Sequence, residues 1–487
     1  MSAMLGGAEI DVREMHRNMA LTLFDKIWND HLVAVRPDGR ALVYMDRTML
    51  DEVRAPHVFA RIEQRGLAVR RPDLTFVVQD HSVATAPGRT ETTRADSAEI
   101  ILATRASSHR HGVRLFDLHD PEQGISHVIA PELGMVLPGG THACADSHAA
   151  TVGALGALAF GCGSTELEHI LTTQTMALAR PATMRLMLHG RLDPVVTAKD
   201  VILHVIGRLG VDGAAGHAVE LAGPALTAIP VEGRFTLCNM CTELGARTAL
   251  AAPDDAVFEW LHGRPMVPAG AAWDVALAGW RGLRSDDEAR FDTEIDIDCT
   301  GLEPQVTWGT DPSQTIGISE AVPDLAAAPP GREAAWRRAL AYAALPSGKP
   351  ITGTPITRAF IGSCTNARLS DLQAAAAVIR GRKVAEGVQA VVVPGSMTVR
   401  RQAEALGLDQ TFKAAGFEWH ESGCAMCAGG SGARANPGER IMSTTNRNFE
   451  GRQGRDVRTH LASPAMVVAA AIAGRIVDVR HLVAGEA

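Results

Sequence analysis

Three cysteines sit in surroundings that suit an inorganic centre. Cys364 lies in Gly362-Ser363-Cys364-Thr365-Asn366, and Cys424 and Cys427 form a Cys-x-x-Cys pair flanked by Gly423, Gly429 and Gly430. Glycine lets backbone approach a bulky centre and leaves amides free to donate to it. Three thiolates are one short of the four that usually hold a cubane iron–sulfur cluster. A cluster held by three keeps one iron open to a substrate's hydroxyl and carboxylate oxygens, the kind of open position that metal catalysis needs. A second pair, Cys238 and Cys241, permits a different arrangement in which two pairs close a four-cysteine zinc site. Spacing alone does not choose between zinc and iron–sulfur. Asn239 and Met240 lie between the second pair on an apolar segment, which also suits buried structural thiols there. Cys144, Cys162 and Cys299 read as core positions.

The elements around these thiols read as alternating strands and helices. Residues 356–362 form a strand that runs into Cys364, 369–380 an alanine-rich helix, and 388–393 (VQAVVV) a continuous apolar strand of the buried parallel type. Pro394-Gly395-Ser396 turns into a further helix, and 417–420 is a short strand before Cys424. In such sheets ligands bind beyond the carboxyl ends of the strands, so distant thiols converge on one sheet edge. A helix starting just after Cys364 would favour its thiolate. Upstream, 75–79 is a buried strand followed at once by Asp80-His81. Residues 135–137 and 141–145 are extended, and Asp146-Ser147-His148 follows. Two apart in extended chain, Asp146 and His148 share a face. Thr165 caps a helix with Glu168 three residues on, Thr197 caps 197–209, and 213–216 is a loop. Residues 237–250 keep helical spacing, 268–311 is charged and irregular, and 323–330 is a surface connection. Boundaries near 195 and 310 divide the chain into 1–195, 196–309 and 310–487.

The 487 residues are 46% hydrophobic, 4% aromatic and 21% charged, with a formal net charge of −8. This permits sizeable cores, suits α/β layers, and argues against a basic nucleic-acid surface. Residues 1–11 lack a basic start and a long apolar run, and the most apolar stretches, 152–162 and 464–474, are too short to span a bilayer. The expectation is a soluble cytoplasmic protein that uses its eight cysteines for metal or catalysis rather than disulfides.

Eight strings, in order along nearly the whole chain, resemble the aconitase superfamily, and within it the large subunits of 3-isopropylmalate dehydratases. They are Tyr44-Met45-Asp46-Arg47, Asp80-His81, Asp146-Ser147-His148, Leu237-Cys238-Asn239-Met240, Pro304-Gln305-Val306-Thr307-Trp308-Gly309, Ile361-Gly362-Ser363-Cys364-Thr365-Asn366, Gly423-Cys424-x-x-Cys427 and Asn446-Arg447-Asn448-Phe449-Glu450-Gly451-Arg452. The resemblance implies three α/β domains around one [4Fe-4S] cluster per subunit, held by Cys364, Cys424 and Cys427. It also implies a hydro-lyase that isomerises 2- and 3-isopropylmalate in leucine synthesis. The mobile fourth domain of the family, with its serine base and further arginines, is expected on a separate small subunit, so the chain reads as one half of a heterodimer. The same chemistry on citramalate, dimethylmalate or another malate derivative is the alternative. An RNA-binding iron sensor or a zinc-stabilised scaffold is a remoter one.

The resemblance makes His81 the acid that protonates the leaving hydroxyl. The chemistry agrees, because a carboxylate such as Asp80 in hydrogen-bond reach keeps a histidine charged. It places Asp146, His148 and His127 beside that hydroxyl. It sets Asn239 and Glu243, four apart on one helical face, near the cluster. Asn446, Arg447 and Arg452 become the substrate clamp, which suits arginine because its planar fork pairs with carboxylates. Three stretches depart from the pattern: the glycine-rich 428–433, Ala214-Ala215-Gly216-His217-Ala218 without a Gly-Thr-Gly, and Thr141-His142-Ala143-Cys144-Ala145. They bear on the choice of substrate, and none removes a ligand.

Overall fold

The computed structural model describes residues 2–5, 8–11, 20–427 and 433–483. Three parallel sheets form its frame. The first holds β1 (Arg47–Asp51), β2 (Thr75–Val78), β3 (Arg114–Phe116), β4 (Thr141–Cys144) and β5 (Leu158–Gly161) in the order β3-β2-β1-β4-β5. The second holds β6 (Ala182–His189), β7 (His217–Ala222), β8 (Thr248–Ala251) and β9 (Thr293–Asp298) in the order β8-β7-β6-β9. The third holds β10 (Arg358–Ile361), β11 (Gln389–Val392), β12 (Phe417–Trp419), β13 (Arg440–Ser443) and β14 (Arg458–Leu461) in the order β12-β11-β10-β13-β14. Every residue of β2, β4, β8 and β10 is buried. Strands covered on both faces are predominantly apolar, as in Phe76-Val77-Val78 and Ala359-Phe360-Ile361, and the parallel crossovers that cover them are helices.

In the first and third sheets the strand order reverses beside a central strand, between β1 and β4 and between β10 and β13. A crevice opens at such a reversal, beyond the carboxyl ends of the strands. Glu52 follows β1, Asp80 follows β2 and Asp146 follows β4. Cys364 follows β10, Cys424 follows β12 and Asn446 follows β13. The topology alone therefore gathers the chemistry-bearing residues at two strand-end crevices.

Several sequence expectations are corrected. Residues 135–137 form no strand: they connect the helix Ser126–Glu132 to β4, whose two edges are already taken by β1 and β5. The expected cap at Thr165 falls instead at Gly163, whose N–H donates to Glu166 Oε2 at 2.8 Å, while Glu168 pairs with Arg61 at 2.8 Å and with Arg65. The helical reading of 237–250 merges two elements. The helix is Val231–Met240, Gly245 breaks the chain at φ 85°, and Leu250 lies in β8. Only glycine adopts that φ freely. The stretch 268–311 contains the helix Ala271–Trp280 and β9. The second sheet starts at Ala182, N-terminal to the expected boundary at 195, because β6 pairs with β7 and β9. The cap at Thr197 is present: its N–H donates to Asp200 Oδ2 at 2.8 Å and opens the helix Ala198–Leu209. Among the described residues no helix is long and apolar enough to cross a membrane.

Two polar side chains lock Gln305–Thr307 to the third sheet. Asn448 Nδ2 lies 3.0 Å from the Gly309 carbonyl and 3.2 Å from both Thr307 Oγ1 and the Thr459 carbonyl. His460 donates from Nδ1 to the Thr307 carbonyl at 2.7 Å and accepts at Nε2 from Arg440 at 2.7 Å. Burial and the Arg440 charge push His460 down to about 3, so the ring is held neutral. In the unfolded chain it takes a proton near 6.5. Its contribution to stability is therefore present above about 6.5 and is lost as the pH falls towards about 3. Denaturant unfolding from pH 7 to 4 should show a shallower acid decline in His460→Asn, whose amide can still donate to Thr307. An unchanged slope would remove His460 from the acid response.

Candidate active site

Asp80 and His81 are placed by backbone bonds on both sides. The Asp80 N–H donates to Glu52 Oε2 at 3.1 Å and the Ser82 N–H donates to Glu52 Oε1, so the loop after β2 is tied to the end of β1. Asp80 Oδ2 accepts from the Ser126 N–H at 2.9 Å, and Asp80 Oδ1 lies 2.5 Å from His81 Nδ1. The other ring nitrogen, Nε2, lies 3.3 Å from Asp146 Oδ2. With a carboxylate at each nitrogen the ring carries both protons. Burial pulls its pKa down, but the Asp80 charge, Cys424 and the two hydrogen bonds outweigh this and hold it well above the usual histidine value.

Asp146 and His148 meet through a turn rather than along a strand face. The His148 N–H donates to Asp146 Oδ1 at 2.8 Å, and its Nδ1 lies 3.3 Å from the same oxygen. His127 Nε2 reaches that oxygen at 2.6 Å. Burial raises the Asp146 carboxyl, yet His127, His148 and His81 together hold it well below the usual range. His148 Nε2 lies 2.8 Å from Glu243 Oε1. Burial lowers this ring's pKa, and Glu243 and Asp146 raise it well above the ordinary value. Glu243 stands in the turn beyond the helix Val231–Met240, so it and Asn239 do not share one helix, yet both face the site. Glu243 also accepts from Arg447 Nε at 2.8 Å, and Arg447 reaches Ser147 Oγ at 3.2 Å.

The three thiols are buried and unpaired as disulfides. Asn239 Nδ2 points at Cys364 Sγ at 3.2 Å, and Asn446 Nδ2 lies 3.6 Å from the same sulfur and 3.0 Å from His148 Nε2. Ser363 Oγ is 3.3 Å from Cys427 Sγ and 3.9 Å from Cys364 Sγ, so one hydroxyl serves two sulfurs. The Cys424 N–H donates to the Asp80 carbonyl at 2.8 Å, which brings that thiol beside the acid pair. Ligand atoms of Asp80, His81 and Cys424 lie within 4.8 Å of one another, the one such set of three among the described residues. Thiolates about 2.3 Å from a single zinc would also stand that close. Cys364, Cys424 and Cys427 do not all do so, which suits a polynuclear centre better than one ion. Cys238 and Cys241 pack with Leu237, Met240 and Leu244 in the core of the second sheet and join no metal-ligating set among the described residues. The helix after Cys364 begins only at Leu369, so its dipole is not directly behind the thiol. Gly429 and Gly430 lie outside the described residues.

Residues 25–474 match the aconitase family (aconitate hydratase). Over 478 residues, 98% of this chain and 99% of the relative, the sequence is 50% identical to 3-isopropylmalate dehydratase large subunit 1 of Bradyrhizobium diazoefficiens. The chain belongs to the aconitase family. Among solved structures, Thermococcus kodakaraensis aconitase X in its holo-form matches 84% of each chain at 11% identity, with a TM-score of 0.45.

For an aconitase-family chain, the donor set fits an iron–sulfur cluster: three buried thiols, amide and hydroxyl donors aimed at them, and no fourth cysteine among the side chains described around them. Arg452 is half-buried, with its guanidinium 5.3 Å from the Phe449 ring. Arg440, Arg455 and Arg458 instead bind His460, Asp456 and the Tyr342 carbonyl. Two residues at the site were missed in the sequence reading. Glu52 is a buried carboxyl pushed up to about 7 by burial and the Asp80 charge, and the sequence around it gives no local signal. Ser363 is a buried non-glycine residue at φ 82°. Such a residue is strained, and strain of this kind gathers at functional sites. Ser363→Gly relieves the strain and Ser363→Ala keeps it. Melting of the apo-protein should rank the glycine variant above the alanine variant by about 1–2 kcal/mol. Both should lose iron affinity by roughly 10-fold or more in anaerobic titrations, because the hydroxyl is gone. Equal stabilities would show that the backbone there is not strained.

Proposed function

We propose that this chain is the large subunit of a hydro-lyase of leucine synthesis that interconverts 2- and 3-isopropylmalate by removing and re-adding water, working with a small subunit. The observation that carries the reading is the 50% identity spread over 98% of the chain to a dehydratase large subunit. The meeting of the two crevices, which joins Asp80–His81, Asp146–His148 and three thiols, supports it.

In this reading the three units, near 1–195, 196–309 and 310–487, enclose a [4Fe-4S] cluster held by Cys364, Cys424 and Cys427. When bound, the cluster supplies a Lewis-acidic iron with a position free of cysteine. His81, kept charged by Asp80, donates a proton from Nε2 to the leaving hydroxyl. Asp146 orients His81, His127 and His148 at once, so the proton donor stays aimed while the substrate turns over. Glu243 holds His148 and steers Arg447, and Asn239 and Asn446 donate towards the thiolates. Arg447 and Arg452 bind the substrate's carboxylates. The base that takes the carbon-bound proton comes from the partner's mobile domain.

Anaerobically purified protein should be brown and contain iron and sulfide, and Cys364→Ser should abolish both. Activity on 2-isopropylmalate should appear only when the small subunit is added. A substrate panel that turns over citramalate or dimethylmalate and leaves isopropylmalate untouched would move the substrate assignment, and colourless zinc-bearing protein would defeat the cluster. In the active pair, Asp80→Asn should lower kcat by about 10²- to 10⁴-fold, the usual worth of a placed proton donor. A kcat within a factor of two of wild type would displace His81 from its role.

A further inference from the structure

Lys199 is a lysine with no exposed surface at all. It stands in the first turn of the helix Ala198–Leu209, in the second α/β unit, and its side chain crosses to the third. Nζ donates to the Thr445 carbonyl at 2.7 Å and to the Thr444 carbonyl at 2.9 Å. These are the two residues before Asn446 and Arg447. The backbone of Lys199 cannot easily yield. Its neighbour Asp200 accepts from the Thr197 N–H at 2.8 Å with one oxygen and from the Gln305 N–H at 2.8 Å with the other.

Taking an ammonium out of water costs several kcal/mol, and an apolar side chain of similar volume fills such a site at less cost. A structural filler would therefore not be lysine. Burial pushes this ammonium down to about 8, while the charges of Glu243, Cys427, Cys364 and Asp371 draw it back up. Two of those four are thiols of the proposed cradle. Glu243 already answers to His148 and Arg447, and Asp371 to Asn366 and the Arg368 N–H.

We propose that Lys199 is a positioning residue for the thiol cradle: it pins the Thr444–Thr445 turn that carries Asn446 and Arg447, and it supplies fixed positive charge within electrostatic reach of Cys364 and Cys427. The proposal rests on the reading that these thiolates hold an iron–sulfur cluster. A positive charge near a cluster favours its reduced, more negative state, so net charge around the site sets its potential.

The test uses wild type, Lys199→Met and Lys199→Arg, each reconstituted anaerobically and paired with the small subunit. Iron and sulfide content, the cluster potential from EPR-monitored titration, and kcat and KM are measured on all three. Lys199→Met should release iron to a chelator roughly 10- to 100-fold faster, shift the potential to a more negative value and raise KM as Arg447 loses its support. Lys199→Arg should keep the wild-type potential. Lys199→Met with wild-type potential and wild-type KM overturns the proposal alone. If the methionine variant does not fold, the arginine variant decides: a potential shifted despite the retained charge overturns the proposal, and an unshifted one supports it. Wild-type protein that takes up no iron overturns the underlying reading, and the proposal with it.

Discussion

One carboxylate organises the chemistry of this chain. Asp146 takes His127 and both the N–H and the ring of His148 on one oxygen, and His81 on the other. A buried anion without partners would be neutralised by its own pKa shift. Here three imidazoles make ionisation favourable, and the Asp146 carboxylate in turn helps to hold His81 and His148 charged. Remove the carboxylate and three rings lose their common reference point. The remaining charges extend this cluster outwards, through Asp80 to Glu52 on one side and through Glu243 to Arg447 on the other. Buried charges of this density persist only when every member is paired and hydrogen-bonded, and it is the fold that brings the pairs together.

The fold does so largely by placing its members at strand ends. The first sheet contributes Glu52, Asp80 and Asp146 from three strands, and the third contributes Cys364, Cys424 and Asn446 from three more. The middle of a strand buried on both faces offers a charged group few partners, but its carboxyl end opens towards a crevice where polar groups find them. The second sheet presents no site residue at a strand end. It sends instead Asn239 from the helix Val231–Met240, Glu243 from the turn beyond it, and Lys199 from the helix Ala198–Leu209. Bonds from these residues, Glu243 to His148 beyond the first sheet and Asn239 to Cys364 and Lys199 to Thr444 and Thr445 beyond the third, make them a brace between the two crevices.

What was legible in the sequence follows from this arrangement. A short extended run followed at once by Asp80-His81, by Asp146-Ser147-His148 or by Cys364 marks a strand and the polar residues at its end together, so the strands β2, β4, β10, β11 and β12 and the residues at their ends were readable locally, whereas the catalytic roles came from the resemblance. Elements that depend on pairing partners were not. Residues 135–137 have strand-like composition and find both edges of β4 occupied, and 237–250 has one apolar pattern that Gly245 cuts into a helix and a strand. Glu52 and Lys199 carry no local signal, because what makes each matter is a charge more than twenty residues away. Glu243, in contrast, came forward only through resemblance, since by itself it reads as a solvated helix residue.

The long loops of the site need a rigid floor, and the bonds to Thr307 provide it. The stretch from Asn446 to Gly451 carries Asn446 and Arg447 without belonging to a strand or helix. Left to itself such a loop would sample many conformations, and an arginine on it would bind a carboxylate only after paying for its own ordering. Asn448, two residues beyond Asn446, is buried and fastened to Thr307, Gly309 and Thr459 at once, while Lys199 fastens the residues just before. Asn446 and Arg447 are therefore held between two anchors, one from each side of the chain. That explains why a Gln-Val-Thr-Trp-Gly string far upstream sits against the site: its carbonyls and the Thr307 hydroxyl are fixed points that hold the loop carrying Asn446 and Arg447.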